Sequence, residues 1–468
     1  MKHALLACLL LVGCVGTPRA IAPLRYEPRP SAAQGTTEPR PPAPVPDPIP
    51  SFTVQETKLA NGVHVVVVPR KGHGVIAVRL AFARDIADVG DTGGLRSALV
   101  APVFLVPERP DVEASATCET IGCSVLSVGP DGSLDERLAS IAALVLQPAQ
   151  DSAGAGRRFA ALTGLSTAFD PGASAYRNEM NALYAGTPYA AAPGPPSFGT
   201  LSELAAIRDR LLDPAAASLV VVGDVTLDAV RAAAEERLAG WQSRARTATA
   251  PPAPLAPLRP SAVVVVQNAS ISQVHAHFAV RAATPGTADD YALSLALDMA
   301  ATSPGSPGFV RVREELGASY HVGVSRLLLT HDRQAVAVGG SFEKDKTVGG
   351  LEALLSTIRA LRSGPLDARV LARSKAKVLG GWRQIMATNA GLATAIVGQI
   401  VTGQPPAPDD VAARIASVSA EDVQRVARTL LADENLRVVV VGDVRWIASD
   451  LQRLGLGAAV FRDGFGRD

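Results

Sequence analysis

The chain has 468 residues, of which 47% are apolar and 19% charged; at roughly 100–200 residues per domain this is material for two or three globular units. Lys plus Arg number 45 against 44 Asp plus Glu, for a formal net charge of +1. That balance excludes a global basic field of the kind that draws a protein to nucleic acid or to an anionic membrane surface.

The N-terminus, MKHALLACLLLVGC, has a basic start at Lys2 and an apolar run too short to span a bilayer comfortably. Leu11-Val12-Gly13-Cys14 resembles a bacterial lipobox. On that resemblance residues 1–14 are a lipoprotein signal peptide and Cys14 is the acylated residue, its thiol being the nucleophile that takes the lipid; an ordinary cleaved secretory signal is the other reading. Val15 and Gly16 follow, with no Asp at the second position, which the lipoprotein resemblance associates with the outer membrane, facing the periplasm. Contact with the membrane is expected through this anchor only. Residues 15–50 are dense in Pro and poor in large aliphatics, the composition of an extended tether that builds no core.

From Ser51 strand and helix patterns alternate. Residues 63–69 and 75–83 are β-rich runs around a Gly/Lys/His turn. TGGLRSALVAPVF (92–104) looks like a helix start behind a glycine turn. Cys118 and Cys123 stand beside the strand candidate 124–129; outside the cytoplasm a hairpin disulfide or two buried thiols both fit the spacing, and C-x4-C without a second ligand pair is a poor zinc signal. Ser133 and Glu136 have the spacing of a capping box, with Leu138, Ile141, Ala142 and Val145 on one helical face behind it.

An internal repeat organises the remainder. Thr200 and Glu203 open a helix with Leu204, Ile207, Leu211 and Leu212 on one side, leading into a strand at 219–225. Ser419 and Asp422 open another, with Val423, Val426, Leu430 and Leu431 on one side, leading into 438–444. The segments superpose without a gap, so two homologous halves are expected: 51–246, a Pro-rich linker 247–260, and 261–468, where 262–268 and 274–282 restart the strand pair. Gly223 and Gly442 follow apolar runs, but neither G-x-G-x-x-G nor Gly-Lys-Ser/Thr surrounds them, so both read as ends of buried strands and not as nucleotide-binding turns.

The order of these features resembles the pitrilysin/insulinase peptidases, which include mitochondrial processing peptidase. LANGVHVVVVP (59–69) is similar to that family's opening strand, ASLVVVGDVTLDAVRAAAEERLAGW (217–241) to the close of its first domain, and VRVREELGASYHV (310–322) to its second-domain signature. The resemblance covers about residues 52–445 and implies an α/β (α+β) fold of two homologous metallopeptidase-like domains. Each would be a mostly antiparallel sheet packed with helices, and together they would enclose a chamber for an extended peptide.

Active members carry H-x-x-E-H on the helix after the second strand: two His ligands one turn apart, a Glu that polarises the metal-bound water, and a distal Glu as third ligand. Laid on that motif, GLRSALVA (94–101) puts Ser97 and Ala101 at the His positions and Val100 at the Glu position, and no Glu lies between Arg137 and Asn178, where the distal ligand belongs. A methyl and an isopropyl group have no lone pair, and a lone hydroxyl is a poor zinc ligand, so no metal is expected on this chain. His275 and His277 share a face of a predicted strand, but with no Cys, Asp or Glu nearby a hydrogen-bonded or solvated pair is favoured over a chelate. His64, His73, His321 and His331 are single.

The second signature is intact. Arg313 and Tyr320 lie seven apart, with Gly317 predicted to end the helix and Tyr320 to open the next strand. In the family's two-subunit members an Arg/Tyr pair of this spacing faces the zinc of the other chain. The resemblance therefore implies a non-catalytic subunit that binds extended peptide and supplies Arg313 and Tyr320 in trans to a zinc-bearing partner. A stand-alone peptide-binding or scaffold protein of the cell envelope is the alternative, and a self-sufficient peptidase with an unrecognised site is the least favoured. Substrate and cleavage preference are not legible.

Overall fold

Strands buried on both faces need unbroken β-branched runs, whereas half-buried strands alternate. HVVVVP and RVVVVG are runs of the first kind, and in a computed structural model of the protein they lie inside two sheets. The structure describes residues 51–91, 94–107, 113–148, 154–165, 170–190, 197–243, 255–258, 263–330, 332–464 and 466–467, all within one compact unit, Pro48–Asp468. Residues 1–50, where the signal peptide with Cys14 and the tether are expected, together with Thr92, Gly93, His331 and all of 247–260 but 255–258, lie outside the described residues.

The first sheet contains β1 (Gln55–Lys58), β2 (His64–Pro69), β3 (Val75–Ala83), β4 (Ser115–Glu119), β5 (Gly122–Pro130) and β6 (Ala217–Gly223), in the order β1-β2-β6-β3-β5-β4. The second contains β7 (Val263–Gln267), β8 (Val274–Arg281), β9 (Val322–Leu328), β10 (Gln334–Phe342), β11 (Arg437–Gly442) and β12 (Ala459–Arg462), in the order β12-β7-β11-β8-β10-β9. Five strands recur in the same order and sense: β2 runs parallel to β6 as β7 does to β11, and β3, β5 and β4 are antiparallel neighbours as β8, β10 and β9 are. The sheets differ at one edge, where β1 is antiparallel to β2 but β12 is parallel to β7.

The helices that matter below are α1 (Leu95–Phe104), α2 (Leu134–Leu146), α3 (Pro171–Tyr184), α4 (Leu201–Leu211), α5 (Ala288–Leu297), α6 (Thr347–Ser363), α7 (Ala368–Met386), α8 (Asn389–Val401) and α9 (Ala420–Thr429). Val65 and Val67 of β2 pack with α1, α2 and α4 through Val100, Val103, Leu138, Ile141 and Leu204. Val66 and Val68 point the other way, onto Leu392, Ala393 and Ile396 of α8. In the second sheet Val438 and Val440 join the core of α5, α6 and α9, while Val439 and Val441 meet Ala175 of α3. Each half thus covers one face of its own sheet and lends a helix to the other half's sheet.

The caps of the repeat form as the spacing predicts, Thr200 with Glu203 and Ser419 with Asp422. The Ser133 box does not: α2 starts there, but the Ser133 hydroxyl donates to the Pro130 carbonyl at 2.7 Å, closing the turn after β5 instead of the helix end. Gly223 and Gly442 end β6 and β11. A Cβ on them would stand 3.1 Å from the Ile76 Cα and 3.0 Å from the Val274 Cα, tight contacts that a close strand approach makes and that glycine relieves.

Candidate functional site

The helix at the zinc-motif position forms with nothing on it that binds zinc. Gly94 at its start is left-handed, φ 70°, and the Asp91 carboxylate supplies the cap, accepting from both the backbone N–H and the hydroxyl of Ser97. Ser97 is 1% exposed, so its one polar atom is committed to Asp91. Val100 belongs to the first core, with Ala101 buried beside it on the helix. Oxygen and nitrogen donors are missing at two of the three positions and occupied at the third, so the family's metal does not fit these residues.

The first Glu after the empty interval is Glu179 on α3, and it is used differently. Its buried carboxylate lies 2.7 Å from His277 Nδ1 on β8, an ion pair or hydrogen bond between the halves. His275 is also on β8, with Nδ1 3.4 Å from the Ser341 hydroxyl of β10. Its pKa lies below the usual value because burial disfavours the charged ring, with the His277 charge adding to the effect and Asp170 opposing it. The hydrogen-bonded reading of the two histidines is the one observed, but the accompanying carboxylate comes from far away in sequence. Among the described residues no group of three or more His, Cys, Asp or Glu is gathered so as to hold a metal ion.

Arg313 and Tyr320 are brought together. A short helix from Pro307 continues as a π-helical turn over Val310–Glu315 and stops at Gly317, φ 56°; such turns concentrate at functional positions. The Arg313 guanidinium sits 4.3 Å from the centroid of the Tyr320 ring and 5.3 Å from that of Phe309, a cation–π stack that holds a long side chain in place. Tyr320 is 80% exposed, with its phenol in solvent. The strand opens at Val322, two residues later than predicted, because the Ser319 hydroxyl donates to the carbonyls of His321 and Ser341 and holds 319–321 as a turn. Cys118 and Cys123, directly opposed on β4 and β5, are disulfide-bonded.

Two similar sheets exchanging helices, a motif-position helix without metal donors and an exposed Arg/Tyr stack are thus the features to set beside known proteins. Residues 200–378 match the family described as peptidase M16 inactive domain. Over that stretch the chain is similar to the pitrilysin/insulinase peptidases, and H-x-x-E-H occurs nowhere in its sequence. Its fold is similar to that of a protease from Helicobacter pylori, TM-score 0.72 at 15% identity over 83% of this chain and 99% of that one. It is also similar to a chain of complex III2 from Candida albicans, 0.70 at 15% over 87% and 100%. A peptidase M16 inactive domain from Pseudomonas fluorescens gives 0.68 at 20% over 83% and 98%. At these identities the likeness is one of fold. No curated protein matches the sequence.

Proposed function

We propose that this chain is the non-catalytic subunit of a two-chain zinc peptidase of the cell envelope, binding extended peptide and presenting Arg313 and Tyr320 to a partner that carries H-x-x-E-H. The observation that carries the reading is the pairing of an empty motif helix with an exposed, pre-stacked Arg/Tyr pair. A guanidinium offers fixed donors to peptide carbonyls, and a phenol offers one to the oxygen that becomes negative as water attacks. A donor of that kind is worth about 3 kcal/mol in the transition state.

The test is reconstitution with a zinc-motif relative from the same genome, followed by hydrolysis of a peptide library. Tyr320→Phe keeps the ring on which Arg313 stacks and removes only the hydroxyl, so it lowers kcat about 100-fold while leaving KM nearly unchanged. Arg313→Ala raises KM. A double variant as active as the wild-type pair sinks the proposal. In the same reading Cys14 carries the lipid and residues 15–50 tether the folded part at the outer membrane, facing the periplasm; metabolic labelling with a fatty acid, lost in Cys14→Ala, is the check.

A further inference from the structure

His275 and His277 are not explained by the peptide-binding reading, and the structure gives them neighbours that the sequence did not reveal. Two residues apart on one strand, their side chains leave the same face about 6.7 Å from one another. Both rings lean toward β10: His275 toward Ser341, its register partner, and His277 over Gly339, where a Cβ would stand only 2.5 Å from the ring's Cδ2. Gly339 is opposite Gly323 of the edge strand β9, and over Gly323 lies the Nε2 of the exposed His321, 2.9 Å from where a Cβ would be. Two glycines thus open a floor on which imidazoles arrive from both sides.

The Nδ1 atoms of both rings have partners of the kind found behind metal-binding histidines. His277 Nδ1 is engaged by the buried Glu179 carboxylate and His275 Nδ1 faces the Ser341 hydroxyl. A ring that donates from Nδ1 carries its lone pair on Nε2, and a carboxylate behind the ring fixes that tautomer and raises its basicity as a ligand. We propose that His275 and His277 form a two-imidazole binding site for a divalent transition-metal ion of the zinc class, with His321 able to swing in as a third ligand and water completing the shell. The site is in the second sheet, apart from the zinc-motif helix, and Glu179 of α3 makes it sensitive to how the two halves are docked.

The test is titration of the full chain with zinc chloride alone, read by calorimetry and by competition with a chromophoric chelator. The proposal expects one saturable site. His275→Ala and His277→Ala each weaken it at least ~10-fold, as does Glu179→Gln, within the roughly 10–100-fold range of outer-shell partners. His64→Ala, on the first sheet, leaves it unchanged. Thermal melts identify any variant that fails to fold, and His321→Ala, which removes an exposed ring, then serves in its place and weakens binding about 3-fold or more. Absence of saturable binding, or affinity undiminished in the folded His275→Ala/His277→Ala pair, overturns it.

Discussion

Val100 shows at the single-residue scale why a metal-motif side chain would not be easily accommodated on this helix. It is fully buried among the side chains of the first core. Restoring the family's general base as Val100→Glu therefore places a carboxylate in an apolar interior with no partner, at a cost of about 3 kcal/mol or more. Urea unfolding checks this, and a variant as stable as the parent contradicts the buried placement. Ser97→Ala is milder: it removes one hydrogen bond to Asp91 but leaves that carboxylate still accepting from the backbone N–H of residue 97, a loss of about 1 kcal/mol. What the sequence could say of these positions was their chemistry. That Asp91 caps Ser97 six residues on depends on a local turn, and that Glu179 reaches His277 on long-range packing, and neither leaves a periodic trace.

At the scale of elements, legibility follows burial. The valine runs and the helices of the repeat could be read because a core imposes its period on the sequence, and the same pattern located β2, β3, β6 and β11. What pattern could not give was the partner of each face. β2 is apolar on both sides, and only the fold reveals that its second side meets α8 from the other half. The Ser133 box and the start of β9 were misread for a related reason, since a serine hydroxyl has several acceptors within reach and tertiary neighbours choose among them.

Asp298, at the end of α5, shows such a choice with a measurable consequence. It accepts from Ser303 at 2.6 Å and from Ser374 and Lys377 of α7 at 2.6 Å each. Burial pushes its carboxyl up, but the lysine and the two hydroxyls together outweigh that and hold it below the ordinary value. A depressed folded pKa means that the unfolded chain binds the proton more readily, so this stability is present above about pH 4 and is lost as pH falls through the folded value. Asp298→Asn should cost about 2 kcal/mol near neutrality, with the gap to wild type closing in acid. A pH-independent gap would contradict the assignment.

For the whole molecule, the exchange of α3 and α8 makes the halves mutually dependent. Residues 51–246 alone would expose Val66, Val68, Ala77, Ala81, Val220 and Val222, the face that α8 covers, an apolar surface that isolated soluble domains do not tolerate. Expressed separately, that half is expected to aggregate or to unfold without cooperativity; a soluble monomer with a sharp transition would refute the interdependence. Leu392→Ala and Ile396→Ala, both fully buried on α8, should each cost about 2–5 kcal/mol.

Peptide hydrolysis by the purified chain, alone and mixed with an H-x-x-E-H relative at saturating zinc, decides whether a chain with Ser97, Val100 and Ala101 at its motif positions works only through a partner. No turnover alone, turnover in the mixture, and a roughly 100-fold lower kcat in the mixture with Tyr320→Phe is the predicted result. Cleavage by the chain alone, abolished by removing metal from it, would contradict it.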